Sequence, residues 1–504
     1  MTGVQTCALP ICEKYVHTEI VDQGVLDSTI ELCKERKIIL PTFKQLANPS
    51  LIPQKIVDEL KSVDLWATNP LNLFRISWHN DTETGGFGKV NTVCIPPELS
   101  GIKSPIYVLI GKKFPTGCHK VGATFGPLVS RLVRGAFDPR KQKALWPSTG
   151  NYCRGGAFNS KLLGCTAIAV LPENMSKERF DWLKEIGAEV YATPGCESNV
   201  KEIFDKAKEL TQENPGTVVN LNQFEELTNP LFHYHVTGPA IEEAFNNNKK
   251  EGSRLAAACF NQGSAGTLAC GMYLHKKFPH MKLGCSEALQ CPTLLTNGFG
   301  DHRIEGIGDK HVPWILNAKD QDVLLGIDDE ACMQIFRVFN TPEGKAVLEK
   351  RGVKKETIEQ LSYLGISGIA NVLGLIKMAK HFEYTEKDML FTVATDSACM
   401  YGSRLQELEE KQGKYTEQQA YADYFRYMLG MDDNNLEELT YTSRRRIHNL
   451  KYYTWIEQQG KTLEELNAQW YNDDYWDVQM DVANRVDELI EDFNNKTGLL
   501  ANYQ

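Results

Sequence analysis

Residues 147–190 read PSTGNYCRGGAFNSKLLGCTAIAVLPENMSKERFDWLKEIGAEV. The stretch opens on a turn of proline, two hydroxyls and a glycine, and Asn151 then starts a run rich in small residues. A β-rich apolar run follows at 166–171, a helical pattern at 177–186, and a second β-rich run at 189–192. Two short strands separated by a helix read as a parallel pair, because parallel neighbours need a crossover connection of this length. This segment therefore predicts a βαβ unit.

The alternation continues on both sides, from about Pro105 to Asp396. Further strand candidates are 106–110, 144–146, 217–221, 255–260, 282–286 and 390–394, with helix candidates at 200–210, 240–245 and 370–380. Thr341-Pro342-Glu343 supplies a capping hydroxyl, a proline at the first helical position and an acid in the first turn. The pattern predicts an α/β fold with a parallel sheet covered by helices on both faces. Two segments stand outside it. Residues 13–98 mix amphipathic helix with Gly85-Gly86-Phe87-Gly88, whose spacing is wrong for a P-loop and reads as a turn. Beyond about residue 406 the chain is polar, helical and rich in tyrosine, with a capping box at Thr462-Leu463-Glu464-Glu465. Its aromatic stripes are expected to pack against the body or a sister subunit.

Composition narrows the function classes. The chain has 504 residues, 55 Lys plus Arg, 65 Asp plus Glu and a net charge of −10, with no basic block longer than Arg444-Arg445-Arg446. That excludes the electrostatic footprint of a nucleic-acid binder. Its apolar runs fall well short of the roughly 20 residues of a membrane span. The 14 cysteines are scattered, with no CxxC pair and no Cys/His cluster at metal spacing; no metal site is expected, and the reading is a reduced, cytoplasmic protein. Residues 2–11, TGVQTCALPI, match the in-frame translation of a sequencing-adapter oligonucleotide, so residues 1–12 are set aside as an artefact.

Four loops stand where a predicted strand gives way to a helix, the place where open α/β sheets bind ligands. They are 114–120 (FPTGCHK), 147–151 (PSTGN), 262–268 (QGSAGTL) and 364–368 (LGISG). The second has hydroxyls and backbone N–H groups suited to a carboxylate, and the third has glycines and a hydroxyl at a helix start suited to a phosphate. Each alone reads equally as an ordinary cap or turn.

In this order the loops resemble pyridoxal-phosphate enzymes of fold type II, in the cysteine synthase and cystathionine β-synthase branch. NQFEELTNPLFHYHVTGPAI (222–241) is similar to that family's glutamine segment, and HRIEGIGDKHVPWIL (302–316) to its GIG loop. The resemblance spans about residues 106–408. It implies a two-lobed, tryptophan synthase β-like α/β core with an N-terminal and an α-helical C-terminal extension. The larger, cofactor-binding lobe would comprise 104–113 and 226–408, the smaller mobile lobe 114–225, and the extensions 13–103 and 409–504. Carried over by position, Lys120 is the lysine that binds pyridoxal 5'-phosphate. Gly263, Ser264, Ala265, Gly266 and Thr267 form the phosphate cradle. Asn151 serves the cofactor's phenolic oxygen, Ser148, Thr149, Asn151 and Gln223 the substrate carboxylate, and Ser367 the pyridine nitrogen. A serine facing that nitrogen favours loss of a group from Cβ over long-lived carbanion chemistry.

The implied activity is β-elimination or β-replacement on cysteine, serine or an O-activated serine through an aminoacrylate. Asp309, next to Gly306-Ile307-Gly308, is expected to handle a proton on the leaving or incoming group. Several positions depart from the family pattern. The lysine motif reads GCHKVGA, with a His-Lys pair also seen in tryptophan synthase β subunits. Tyr152 and Arg154 replace small residues and are expected to narrow the pocket or present a charge. Ala265 replaces a usual glycine, which alanine tolerates if φ is negative. Cys118 reads as a small loop residue. The alternatives are the cofactor-bearing subunit of a two-component amino-oxopentanoate thiolase, with the C-terminal extension as a partner surface, and a silent scaffold paralogue. Retention of Lys120, Asn151, Gln223 and Ser367 argues against the scaffold. The resemblance further implies a homodimer with a small amino-acid substrate. The C-terminal extension does not resemble the paired regulatory modules of some cystathionine synthases and nothing like a haem-binding motif precedes the core, so neither haem nor adenosyl-ligand control is expected.

Overall fold

The computed structural model describes residues 13–503; the adapter-like segment lies outside the described residues. Eleven strands form two sheets among these residues. They are β1 Thr92–Ile95, β2 Ile106–Ile110, β3 Lys143–Pro147, β4 Thr166–Pro172, β5 Glu189–Thr193, β6 Val218–Asn220, β7 Arg254–Asn261, β8 Lys282–Ala288, β9 Val323–Ile327, β10 Asp388–Ala394 and β11 Leu436–Glu438.

The smaller sheet has the order β5-β4-β3-β6, all parallel. The quoted stretch therefore forms its βαβ unit as predicted. The larger sheet runs β1-β2-β10-β7-β8-β9-β11. Its five central strands are parallel and nearly fully buried, as expected for strands with helices on both faces.

Both edge strands come from segments outside the predicted alternation and pair antiparallel. Neither β1 nor β11 exceeds four residues, so neither carried a legible period. β9 was also absent from the strand candidates, although it is fully apolar apart from Gly326 and fully buried. A short apolar run of that kind does not distinguish a buried strand from a helix segment.

The two extensions pack on the body and on each other. The Asp487 carboxylate, on helix Tyr475–Thr497, accepts hydrogen bonds from the backbone N–H groups of Phe43 (2.6 Å) and Lys44 (3.2 Å). Fully buried Lys451 donates to the carbonyls of Trp314 (2.8 Å) and Leu316 (2.7 Å), and Trp455 Nε1 donates to Val312 O at 2.7 Å. The aromatic stripes thus clamp the segment that follows Asp309. The Gly85–Gly88 stretch is a turn, in which Gly88 N donates to His79 O at 2.7 Å.

Candidate active site

The site lies where the carboxyl ends of both sheets face each other. Lys120 begins helix Lys120–Leu132, directly after a turn in which Thr116 and Gly117 both have positive φ. Its Nζ stands 3.2 Å from Ser264 Oγ and 3.5 Å from Gln223 Oε1. Two small adjoining hollows meet at this amine. The first is bordered by Ser148, Thr149, Asn151, Gln223, Glu197 and Asp309. The second is bordered by the loop 263–267 together with Asn261, Asn371 and Thr395, and no acid lines it.

The structure therefore brings together nearly every residue the sequence singled out. Gln223 Nε2 donates to Ser148 Oγ at 3.0 Å, which also accepts from Gly150 N at 3.2 Å. Ser367 is the second residue of helix Ile366–His381, behind the GIG loop, and its buried Oγ has no hydrogen-bond partner among the described residues. The loop 263–267 approaches the GIG loop so closely that a Cβ on Gly263 would meet Gly306 O at 2.9 Å. Only glycine leaves that cradle open.

Two expectations are corrected by the geometry. Ala265 lies in the left-handed region, with φ of 68°. The turn from β7 into the 3-10 segment Gly266–Leu268 demands it, so the alanine carries strain of about 1–2 kcal/mol. Arg154 does not line either hollow. Its guanidinium stacks between Trp66 and Trp182, at 5.9 and 4.7 Å from the ring centres. Tyr152 does line the first hollow, as expected. Cys118 is buried and its thiol is pushed up to about 12, which fits a loop residue and not a nucleophile.

A model of the family described as pyridoxal-phosphate dependent enzyme matches residues 98–347. Cysteine synthase of Staphylococcus aureus is 33% identical over 240 residues, covering 47% of this chain and 74% of the relative. The chain belongs to the pyridoxal-phosphate-dependent enzyme family. Cystathionine beta-synthase of Saccharomyces cerevisiae is 27% identical over 313 residues, 60% of this chain and 58% of that one, which places the enzyme in the branch the motifs indicated. The crystal structure of a hydrogen sulfide-producing enzyme from Fusobacterium nucleatum shares the fold, with a TM-score of 0.53 at 22% identity over 62% of this chain and 96% of that one.

The residues present fit the cofactor of this pyridoxal-phosphate-dependent enzyme. Lys120 projects its amine into the space between the hollows; Ser264, Thr267 and a helix start await a phosphate; and two buried polar atoms, Asn151 Oδ1 and Ser367 Oγ, have no hydrogen-bond partner among the described residues. Burial lowers the pKa of Lys120, opposed by Cys118, Asp309 and Glu197. Burial raises Asp309 to about 8, with Lys120 pulling it back.

Sequence reasoning missed the group of charges that ties this site together. Asp396 follows β10, and its Oδ2 accepts hydrogen bonds from Asn151 Nδ2 (2.7 Å) and Tyr401 OH (2.7 Å). Arg179, in the middle of the quoted stretch, is fully buried and lies 2.6 Å from Glu305 Oε2, 3.7 Å from Asp396 Oδ2 and 4.0 Å from Glu197 Oε2. Its Nη2 donates to Tyr401 OH at 3.0 Å and its Nη1 to Thr149 O at 3.2 Å. Asp396 had a signal, since an acid just past the carboxyl end of a sheet strand sits where ligands bind. Arg179 had none, because a helix arginine ordinarily faces water.

Proposed function

We propose that this enzyme removes or exchanges a group at Cβ of cysteine, serine or an O-activated serine. The observation that carries the reading is the cofactor-side hollow, which no acid lines to hold a pyridine nitrogen protonated; the resemblance assigns Ser367 to face that nitrogen, and its buried Oγ has no hydrogen-bond partner among the described residues. Bound pyridoxal phosphate supplies an electron sink for the bonds at Cα and Cβ, and without a protonated nitrogen the sink favours prompt loss of a Cβ group.

The protein's own groups divide the rest of the work. Lys120 would hold the cofactor, and once freed its amine, with a pKa lowered by burial, would take the Cα proton. Ser148, Thr149, Asn151 and Gln223 receive the substrate carboxylate and fix Cα beneath that amine. Asp309 carries its proton up to about pH 8 and can hand it to a departing thiolate or alkoxide. The walls of the hollow exclude water while the bond breaks.

The test is a visible absorption spectrum of the purified holoenzyme, recorded before and after cysteine, serine and O-acetylserine in turn, with sulfide and pyruvate assayed in parallel. A spectral change with one of them, together with sulfide, pyruvate or a thioether product, supports the reading. A yellow protein that none of the three perturbs would overturn it and favour the two-component thiolase.

A further inference from the structure

Two buried carboxyls border the substrate-side hollow. Glu197 lies in the turn between β5 and helix Val200–Glu213, and Asp309 follows the GIG loop. They are 1% and 2% exposed, and both border the hollow that Ser148, Thr149 and Gln223 also line. Glu197 Oε2 and Asp309 Oδ2 each have no hydrogen-bond partner among the described residues. Arg179 is 4.0 Å from Glu197, but it already meets Glu305 at 2.6 Å. Among the described residues, the only cation lining the hollow is Lys120, which the cofactor claims. With cofactor in place, the hollow presents two buried acids and no base.

An unpaired buried carboxylate is costly, so such groups neutralise or await a counter-ion. Burial holds both near 8: Glu197 against the pull of Arg179 and Thr149, Asp309 against that of Lys120. Glu305 faces Glu197 from the GIG loop and adds to its rise, as does Asp309. A cation entering this hollow would be met on both sides, whereas an anion would meet two acids.

We propose that Glu197 and Asp309 together form a receiving site for an amine, carried either on the group that leaves Cβ or on the nucleophile that replaces it. The enzyme accordingly selects cationic partners at Cβ and rejects anionic ones. This inference rests on the proposed function, because it takes Lys120 as engaged by cofactor and the substrate carboxylate as bound at Ser148, Thr149 and Gln223. Glu197 would act on selectivity, which a mere structural partner of Arg179 would not.

The holoenzyme is titrated with L-2,3-diaminopropionate, L-serine and L-aspartate, with binding read from the cofactor's visible absorption. Cysteamine and thioglycolate are compared as thiol acceptors with O-acetylserine as donor. The expected result is a preference of about tenfold or more for diaminopropionate over aspartate, or for cysteamine over thioglycolate. Glu197→Gln and Asp309→Asn should each reduce that ratio about tenfold. Amine uptake should also release protons into a weakly buffered solution between about pH 7 and 8, as the carboxyls ionise. Wild-type enzyme that takes the anionic probes as well as the cationic ones, or ratios that both variants leave unchanged, would overturn the proposal. If serine perturbs the absorption but charge at Cβ makes no difference, this inference alone falls. If no amino acid perturbs it, the proposed function falls too.

Discussion

The Arg179 guanidinium lies 2.6 Å from the Glu305 carboxylate, and the two side chains come from opposite sheets. Arg179 belongs to helix Lys177–Glu185, packed on the four-stranded sheet, and Glu305 to the loop beside the larger one. Helix Gly402–Gln412 strengthens the tie. Its Arg404 lies 2.6 Å from the other oxygen of Glu305 and donates to Asn174 O at 2.7 Å, while Glu178 accepts from Ser403 N and Oγ at 2.9 and 2.8 Å. The elements carried by the two sheets are therefore tied together beside the site by paired charges and not by apolar contact alone.

Removing one member of this group should be expensive. Glu305→Ala leaves Arg179 with Glu197 and Asp396 at 4.0 and 3.7 Å, so the loss falls below that of an uncompensated buried charge and should be about 1–3 kcal/mol. Denaturant unfolding should show a loss of that size, with increased solvent access to the cofactor. An unchanged midpoint would mean that the pair contributes little beyond its own desolvation.

Protonation of the two raised carboxyls makes stability depend on pH in a definite sense. Asp309 and Glu197 titrate near 8 when folded, against ordinary values of 3.8 for aspartate and 4.5 for glutamate. Between those values the folded chain holds protons that the unfolded chain has released. Their contribution is complete below about pH 4 and is lost as pH rises toward 8. The melting temperature of cofactor-free protein should therefore fall from pH 5 to pH 8 more steeply in wild type than in Asp309→Asn. Superimposable profiles would show that Asp309 is not protonated in the folded state.

Lys120→Ala should abolish the covalent cofactor band and lower turnover by about 10³-fold or more, since holder and proton acceptor are lost together. Absorbance and mass spectrometry of borohydride-treated protein check this directly. A retained adduct would place the attachment on another lysine.

The backbone of the site was legible in the sequence through the order of its loops and not through any one of them. Gly263, Ser264 and Gly266 between an apolar strand and a helix, or Ser148-Thr149-Gly150-Asn151 after one, each read alone as an ordinary cap or turn, and only their succession along the chain resembles a ligand site. The charges behind those loops were not legible. Arg179, Glu305 and Asp396 sit in the sequence as three unrelated polar residues, and only the close approach of the two sheets makes them a unit. Ala265 shows the same limit at the level of φ, because an alanine gives no sign that its position is left-handed. Glu197 escaped notice for a related reason: it lies in a polar turn and is buried only by what packs over it.

Asp396 offers the sharpest separation of alignment from attachment. Its Oδ2 accepts one hydrogen of Asn151 Nδ2, which fixes the amide while leaving the second hydrogen for a ligand. Asp396→Asn keeps the volume but can turn an NH2 group toward Asn151 and Tyr401, both of which donate. The variant should bind cofactor through Lys120 as before, yet lose about 10- to 100-fold in kcat as Asn151 drifts. Tyr401→Phe removes only one donor and leaves the carboxylate facing Asn151, so its loss should be milder, about fivefold, matching one net hydrogen bond of about 1 kcal/mol. The order of the two variants is the decisive reading. If Tyr401→Phe costs as much as Asp396→Asn, the tyrosine itself reaches the substrate, and Asp396 serves it rather than Asn151.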